Sequence, residues 1–198
     1  LTATANANYA FSSWSGDLTG STNPQSVAMS APRSVTANFS AVAGITVTTN
    51  PAGLGFTVDG QSYATAQTFS WTAGSTHTIA TSTPQGSGAT RTVFLNWSDG
   101  GALSHSITAP ATATTYTANF TTQYQLAAAA SPAGSGTVAA APASADGFYS
   151  AGTSVQLTAT ANANYAFSSW SGDLTGSTNP ESVTMSAPRS VTANFSSI

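Results

Sequence analysis

Catalysis needs nucleophilic or titratable side chains held together, and this chain of 198 residues offers few. Its two histidines are His77 and His105. Ser98, Asp99 and His105 supply, within one short segment, the residue types of a hydrolytic triad: a hydroxyl to attack, an imidazole to take its proton, a carboxylate to orient the ring. Closeness in sequence does not fix three groups in space, and the other repeats of the chain lack the histidine. No catalytic, cofactor-binding or metal-binding residue is therefore assigned. His77 stands where the related third repeat has Val155, an inward-facing strand position, and is expected to be a partly buried structural histidine.

The other residue types with chemical potential have plainer uses. Asp17, Asp59, Asp99, Asp146 and Asp173 all neighbour glycine, a setting in which the carboxylate hydrogen-bonds nearby backbone in turns. Asp17 and Asp173 stand in loops rich in Ser, Thr and Asn oxygens. Calcium would want several convergent oxygens, and neither loop has a second carboxylate close by. Trp14, Trp71, Trp97 and Trp170, with Tyr63, Tyr149 and Tyr165, contain the material of a sugar-stacking platform. Three of the indoles recur in Phe-x-x-Trp pairs at the same place in every repeat, which marks them as core. Trp71 and Tyr63 have no counterparts in the third repeat and are the candidates for exposed contact. Asn38, Asn96, Asn119 and Asn194 satisfy the short Asn-x-Ser/Thr acceptor pattern, to which no glycan is assigned.

Composition narrows the partners. Charged residues are 5% of the chain, against roughly 25% in ordinary soluble domains. The three basic residues are Arg33, Arg91 and Arg189, dispersed and without lysine, and the net charge is −3. Phosphate neutralisation needs clustered cations, so nucleic acid is excluded as a partner, and an anionic membrane surface is disfavoured on the same ground. No apolar run approaches the length of a spanning helix, which argues against membrane insertion. Without cysteine there are no disulfides or thiolate sites, and without lysine no Lys–Asn isopeptide cross-link.

The elements that must carry these residues are strands in repeats. Leu1–Phe39 returns as Leu157–Phe195, altered only at Gln25/Glu181 and Ala28/Thr184. Within it Leu1, Ala3 and Ala5 alternate with polar residues, the period of a half-buried strand. Tyr9 and Phe11 share one face, and Trp14 falls on the other parity unless a bulge at Ser12-Ser13 returns the indole to the core. Val27 and Met29 followed by Val35, Ala37 and Phe39 suggest a β-hairpin closing the repeat. A second repeat shares landmarks with the third: Pro51-Ala52-Gly53 with Pro132-Ala133-Gly134, and Phe94-x-x-Trp97 with Phe167-x-x-Trp170. Its Asp59-Gly60 is a strong hairpin signal. The joints Ser40–Gly44 and Thr121–Gln123 are too short for floppy linkers, so adjoining modules are expected to stack end to end.

Tyr-x-Phe-x-x-Trp-Ser-Gly-Asp (Tyr165–Asp173) and the closing Val-x-Ala-x-Phe (Val191–Phe195) resemble the divergent internalin-type B-repeat of bacterial surface proteins. The third repeat matches throughout and the first over the half present. The second departs, with Trp97-Ser98-Asp99-Gly100 inverting the Gly-Asp order. The fold expected is all-β: a tandem array of small antiparallel β-sandwich or β-grasp-like modules at residues 1–40 (a C-terminal half), 45–121 and 123–198. The resemblance implies an extracellular, cell-surface spacer and supplies no catalytic residues. The function expected is that of a non-enzymatic structural repeat without cofactor, a stalk or the repeating body of a fibre. The alternative is an adhesin module binding carbohydrate or a host surface. No signal peptide is visible, and because the chain opens inside a repeat, the native N-terminus is expected upstream. The half-repeat Leu1–Phe39 is expected to be completed from outside, by upstream chain or by a neighbouring copy, so self-association is the partner interaction anticipated.

Overall fold

The computed structural model describes all residues, 1–198. It contains strands and no helix, as the alternating sequence requires. In chain order these are β1 (Tyr9–Gly16), β2 (Val35–Asn50), β3 (Phe56–Val58), β4 (Gln61–Tyr63), β5 (Gln67–Thr72), β6 (Thr76–Thr81), β7 (Gln85–Ser87) and β8 (Thr90–Trp97). Then follow β9 (Ser104–Thr108), β10 (Thr114–Ser131), β11 (Gly136–Ala141), β12 (Phe148–Ser150), β13 (Ser154–Ala161), β14 (Tyr165–Gly172), β15 (Glu181–Thr184) and β16 (Arg189–Ser197). The joints expected at Ser40–Gly44 and Thr121–Gln123 are not loops. Each lies inside one long strand, β2 or β10.

By contact the chain groups into two compact units, Leu1–Ser82 with Asn96–Asn119, and Thr83–Leu95 with Phe120–Ile198. The second holds the complete repeat. One of its sheets is β11–β13–β15, antiparallel. The other sets β16 between β14, antiparallel, and the Leu126–Ser131 stretch of β10, parallel. Along β13, Val155, Leu157 and Ala159 are buried between exposed neighbours, the two-residue period of a strand with one face inside. Those residues pack with Val183 and Met185 against Leu126, Trp170, Val191, Ala193 and Phe195, so inward faces from both sheets share one core. That is a two-layer β arrangement.

In the first unit β2 is the spine. It pairs antiparallel with β1 over Val35–Ala41 and with β5 over Val42–Val47, and parallel with β10 over Ile45–Asn50. A second sheet runs β4–β3–β6–β9. Asp59 and Gly60 both take positive φ between β3 and β4, the two-residue hairpin that Asp-Gly signals.

Two local expectations meet different fates. The bulge is present: pairing shifts register between Phe11 and Ser13 and between Phe167 and Ser169. Trp14, Trp97 and Trp170 are all buried, while the accompanying Phe11, Phe94 and Phe167 are half-buried. The closing hairpin is not formed. Glu181–Leu157 and Val183–Val155 are partners, so β15 pairs with β13, and β16 goes instead to β14 and β10. Alternation fixes which face a strand buries but not which strand it meets.

Candidate functional site

Three places carry the side chains singled out by type: the histidine clusters, the aromatic ladder of the first unit, and the face of Leu1–Phe39.

Asp99 and His105 are brought together, Nε2 to Oδ2 at 2.9 Å, and His105 Nδ1 lies 2.8 Å from the Ala102 carbonyl. Ser98 is not part of that set, because its Oγ accepts the Thr117 amide at 3.0 Å. A different serine completes a triad-like chain elsewhere. Ser75 Oγ is 2.9 Å from His77 Nε2, and His77 Nδ1 is 2.7 Å from Asp59 Oδ2. Ser75, in the turn just before β6, lies two residues from His77 on that strand. Asp59 joins them only because β3 pairs with β6, which single-sequence patterning does not reveal. An acyl-transfer site needs free donors for the developing oxyanion. Here the Ser75 amide bonds to the Thr72 carbonyl, the Gly74 amide to Ala109, and the Ser75 hydroxyl itself donates to Thr72 at 2.7 Å. The cluster works as a clasp between the β3–β4 turn and the turn before β6.

His77 is also the end of a ring ladder. Phe56 stacks on Tyr63, Tyr63 meets Phe69 edge-on, Phe69 stacks on Trp71, and Trp71 lies parallel to the His77 ring at 3.7 Å. Trp71, expected to be exposed, is buried. Like its stacking partner His77, it has no counterpart in the third repeat. Tyr63 stays half-buried beside a cleft of about 270 Å³ lined by Phe56, Ser62 and Thr81 among others.

All three arginines are spent on carboxylates. Arg33 Nη1 meets Asp17 at 3.2 Å, and Asp17 Oδ2 takes the Ser34 amide at 2.7 Å. Arg189 and Asp173 repeat the arrangement at 3.3 Å, with the Ser190 amide at 2.7 Å. Gly16 and Gly172 make this lock possible. Both have φ near +90°, and a Cβ on either would strike the carbonyl oxygen of Ser34 or Ser190. Arg91 pairs with Asp146 at 2.7 Å and lies over the Phe148 ring. The four acceptor-pattern asparagines serve the fold as well: Asn38 and Asn194 bridge to Ser15 and Ser171, and Asn119 bonds Asn96.

These bonds give the protein an acid limit. The His77 and Thr78 hydrogen bonds hold Asp59 below its ordinary value of 3.8, the Phe148 amide and Arg91 do the same for Asp146, and the Ser190 amide and Arg189 for Asp173. A carboxylate depressed in the folded state stabilises it above the unfolded value, and that contribution disappears as pH falls through the folded one. The melting temperature is expected to hold from neutrality to about pH 5 and to drop below about pH 4. Thermal melts across that range check it. A melting temperature that rises on acidification would reverse the sign.

The third place is the face of Leu1–Phe39, where near-identical sequence meets two environments. Leu157 and Met185 are fully buried, whereas Leu1 is 56% and Met29 72% exposed; Phe195 is 6% exposed, Phe39 37%. Tyr9 is exposed too, and a cleft of about 240 Å³ is lined by Thr4, Asn6, Tyr9 and Phe39. The local frame is nevertheless intact. Leu1 and Gln25 exchange backbone bonds, Asn23 grips Ala3, and Trp14 Nε1 donates to the Thr22 carbonyl at 2.9 Å. What differs is the pairing: β10 and β11 lie along β16 and β13 of the second copy, whereas Val35–Ala41 pairs with β1.

An all-β chain with a recurring Asp–Arg lock, a bulged Trp strand and two sheets sharing a core is a tandem β-repeat protein. Residues 1–43 and 126–198 match the divergent InlB B-repeat domain, and the chain belongs to that family of bacterial surface repeats. The match leaves out the departing second repeat. No curated protein matches the chain.

Proposed function

We propose that the chain is a non-enzymatic, extracellular structural repeat, a stalk or the repeating body of a surface fibre. One observation carries this reading: the motif residues that recur between repeats are consumed by the module itself. The indoles fill cores, the aspartates lock arginines and backbone amides, and the asparagines tie strands together. A binding module keeps its recurring aromatic and charged groups turned outward. A spacer does not.

Pull-down on insoluble polysaccharides tests the assignment. The chain is expected to stay in the supernatant, with no saturable retention. Saturable retention abolished by Tyr63→Ala, the half-buried ring beside the cleft of about 270 Å³, would move the assignment to a carbohydrate-binding adhesin. Ester hydrolysis is expected to be absent and unchanged in Ser75→Ala. Turnover lost in that variant would restore an enzymatic reading.

A further inference from the structure

We propose that Gln123, Asp146 and Phe148 of the third repeat form a seat for the arginine-bearing hairpin of the repeat before it, a seat that a repeat with a short turn cannot fill. The proposal rests on the structural-repeat reading and names the contact by which one kind of repeat accepts another. Thr83–Leu95 belongs by sequence to the second repeat, yet by contact it lies in the compact unit of the third. It forms the hairpin β7–β8, with Gln85 opposite Thr92 and Gly86 opposite Arg91. The third repeat passes from Leu157 to Phe167 through one tight turn, whereas the second passes from Ile79 to Phe94 through this added hairpin.

The seat holds its carboxylate ready. Asp146 Oδ1 accepts the Ser144 hydroxyl at 3.0 Å and the Phe148 amide at 3.1 Å, leaving Oδ2 for Arg91 Nη2 at 2.7 Å. Arg91 Cζ stands 4.0 Å from the centre of the Phe148 ring, and its Nε donates to Gln123 Oε1 at 2.8 Å. One guanidinium meets a carboxylate, an aromatic face and an amide oxygen together, a combination that suits its planar fork. The backbone adds a further tie, from the Gln125 amide to the Ala89 carbonyl at 2.9 Å.

The earlier joint of the chain lacks both halves of this contact. Gln123 and Gln125 follow Phe120 at the places where Val42 and Gly44 follow Phe39. Phe148 faces Gln125 in its ladder as Ser70 faces Gly44. The second repeat therefore presents valine, glycine and serine where the third presents two glutamines and a phenylalanine. The repeat before it has no hairpin at this point: the Tyr9 amide closes a tight turn on the Asn6 carbonyl at 3.1 Å, and the Asn8 carbonyl takes the Val42 amide at 2.8 Å. Hairpin and seat occur together at one joint and are missing together at the other.

Amide exchange of the whole chain, read residue by residue, tests the proposal. Arg91→Ala is expected to speed exchange of the β7–β8 amides about tenfold. Asp146→Asn should speed it less, and not at all once Arg91 is alanine, because both act through one contact. The amides of β13 should keep their parent rates, which separates a loosened hairpin from a weakened module. Replacing Pro84–Arg91 by the Asn-Ala-Asn turn of the first repeat should uncover the Phe148 ring and raise exchange across Phe148–Ser150 about tenfold. Parent rates in Arg91→Ala, an Asp146→Asn effect that persists without Arg91, or an unchanged β12 under the short turn would overturn the proposal. Polysaccharide retention is read separately, so failure here leaves the spacer reading to stand or fall on its own assay.

Discussion

Trp170→Ala is expected to destabilise the unit containing the complete repeat by about 3–5 kcal/mol, the range for emptying a buried aromatic site. Trp170 is 3% exposed and sits in the core cluster with Val155, Leu157 and Val191. Its place depends on the bulge: without the extra residue between Phe167 and Ser169, the indole would point to solvent. Its Nε1 donates to the Thr178 carbonyl at 2.8 Å, which pins the Gly-Ser-Thr loop onto the sheet. Truncation removes that donor and opens a cavity that strands on both sides cannot close. Small modules have little stability in reserve, so a loss of this size leaves a substantial fraction unfolded. Urea unfolding followed by far-ultraviolet circular dichroism reads the effect. A midpoint within error of the parent chain would show that the indole is not a core anchor.

Repeats, bulge and turns were legible in the sequence because each is a local or self-referential signal. The recurrence of Leu1–Phe39 needs no partner to be seen, Trp14 and Trp170 break parity beside two serines, and Asp59-Gly60 fixes its own hairpin. Pairing was not legible. Val183 and Val191 both alternate correctly, yet the first, in β15, pairs with β13 and the second, in β16, lies between β14 and β10, a choice set by non-local packing. The same limit hid the histidine clasp. Ser98 neighbours Asp99 in sequence and bonds elsewhere, whereas Asp59 reaches His77 only across the β3–β6 ladder. Trp71 misled for a related reason. Lacking a counterpart, it looked like a surface addition, but it stacks on His77, which also has none, and the two rings cover each other.

The open face offers a test in which local sequence is held constant. Met29 and Met185 occupy equivalent places in near-identical segments, flanked by Val-Ala and Ser-Ala in one, Val-Thr and Ser-Ala in the other. Propensity and turn chemistry therefore cancel almost completely, and burial is the remaining variable. Met185 is fully buried, its amide donating to the Thr153 carbonyl at 2.9 Å and its carbonyl receiving the Gly152 amide. Met29 has neither strand over it and is 72% exposed. Met185→Ala is expected to cost about 2–5 kcal/mol, while Met29→Ala stays within about 0.5 kcal/mol of the parent. In the complete repeat the covering of Met185 comes from the turn at Gly152-Thr153 before β13 and from the shared core. Paired urea titrations of the two variants decide the matter. Equal losses would mean that Leu1–Phe39 is already a closed module in solution, and its exposed methionine and unpaired Arg33–Asn38 edge would then need another explanation.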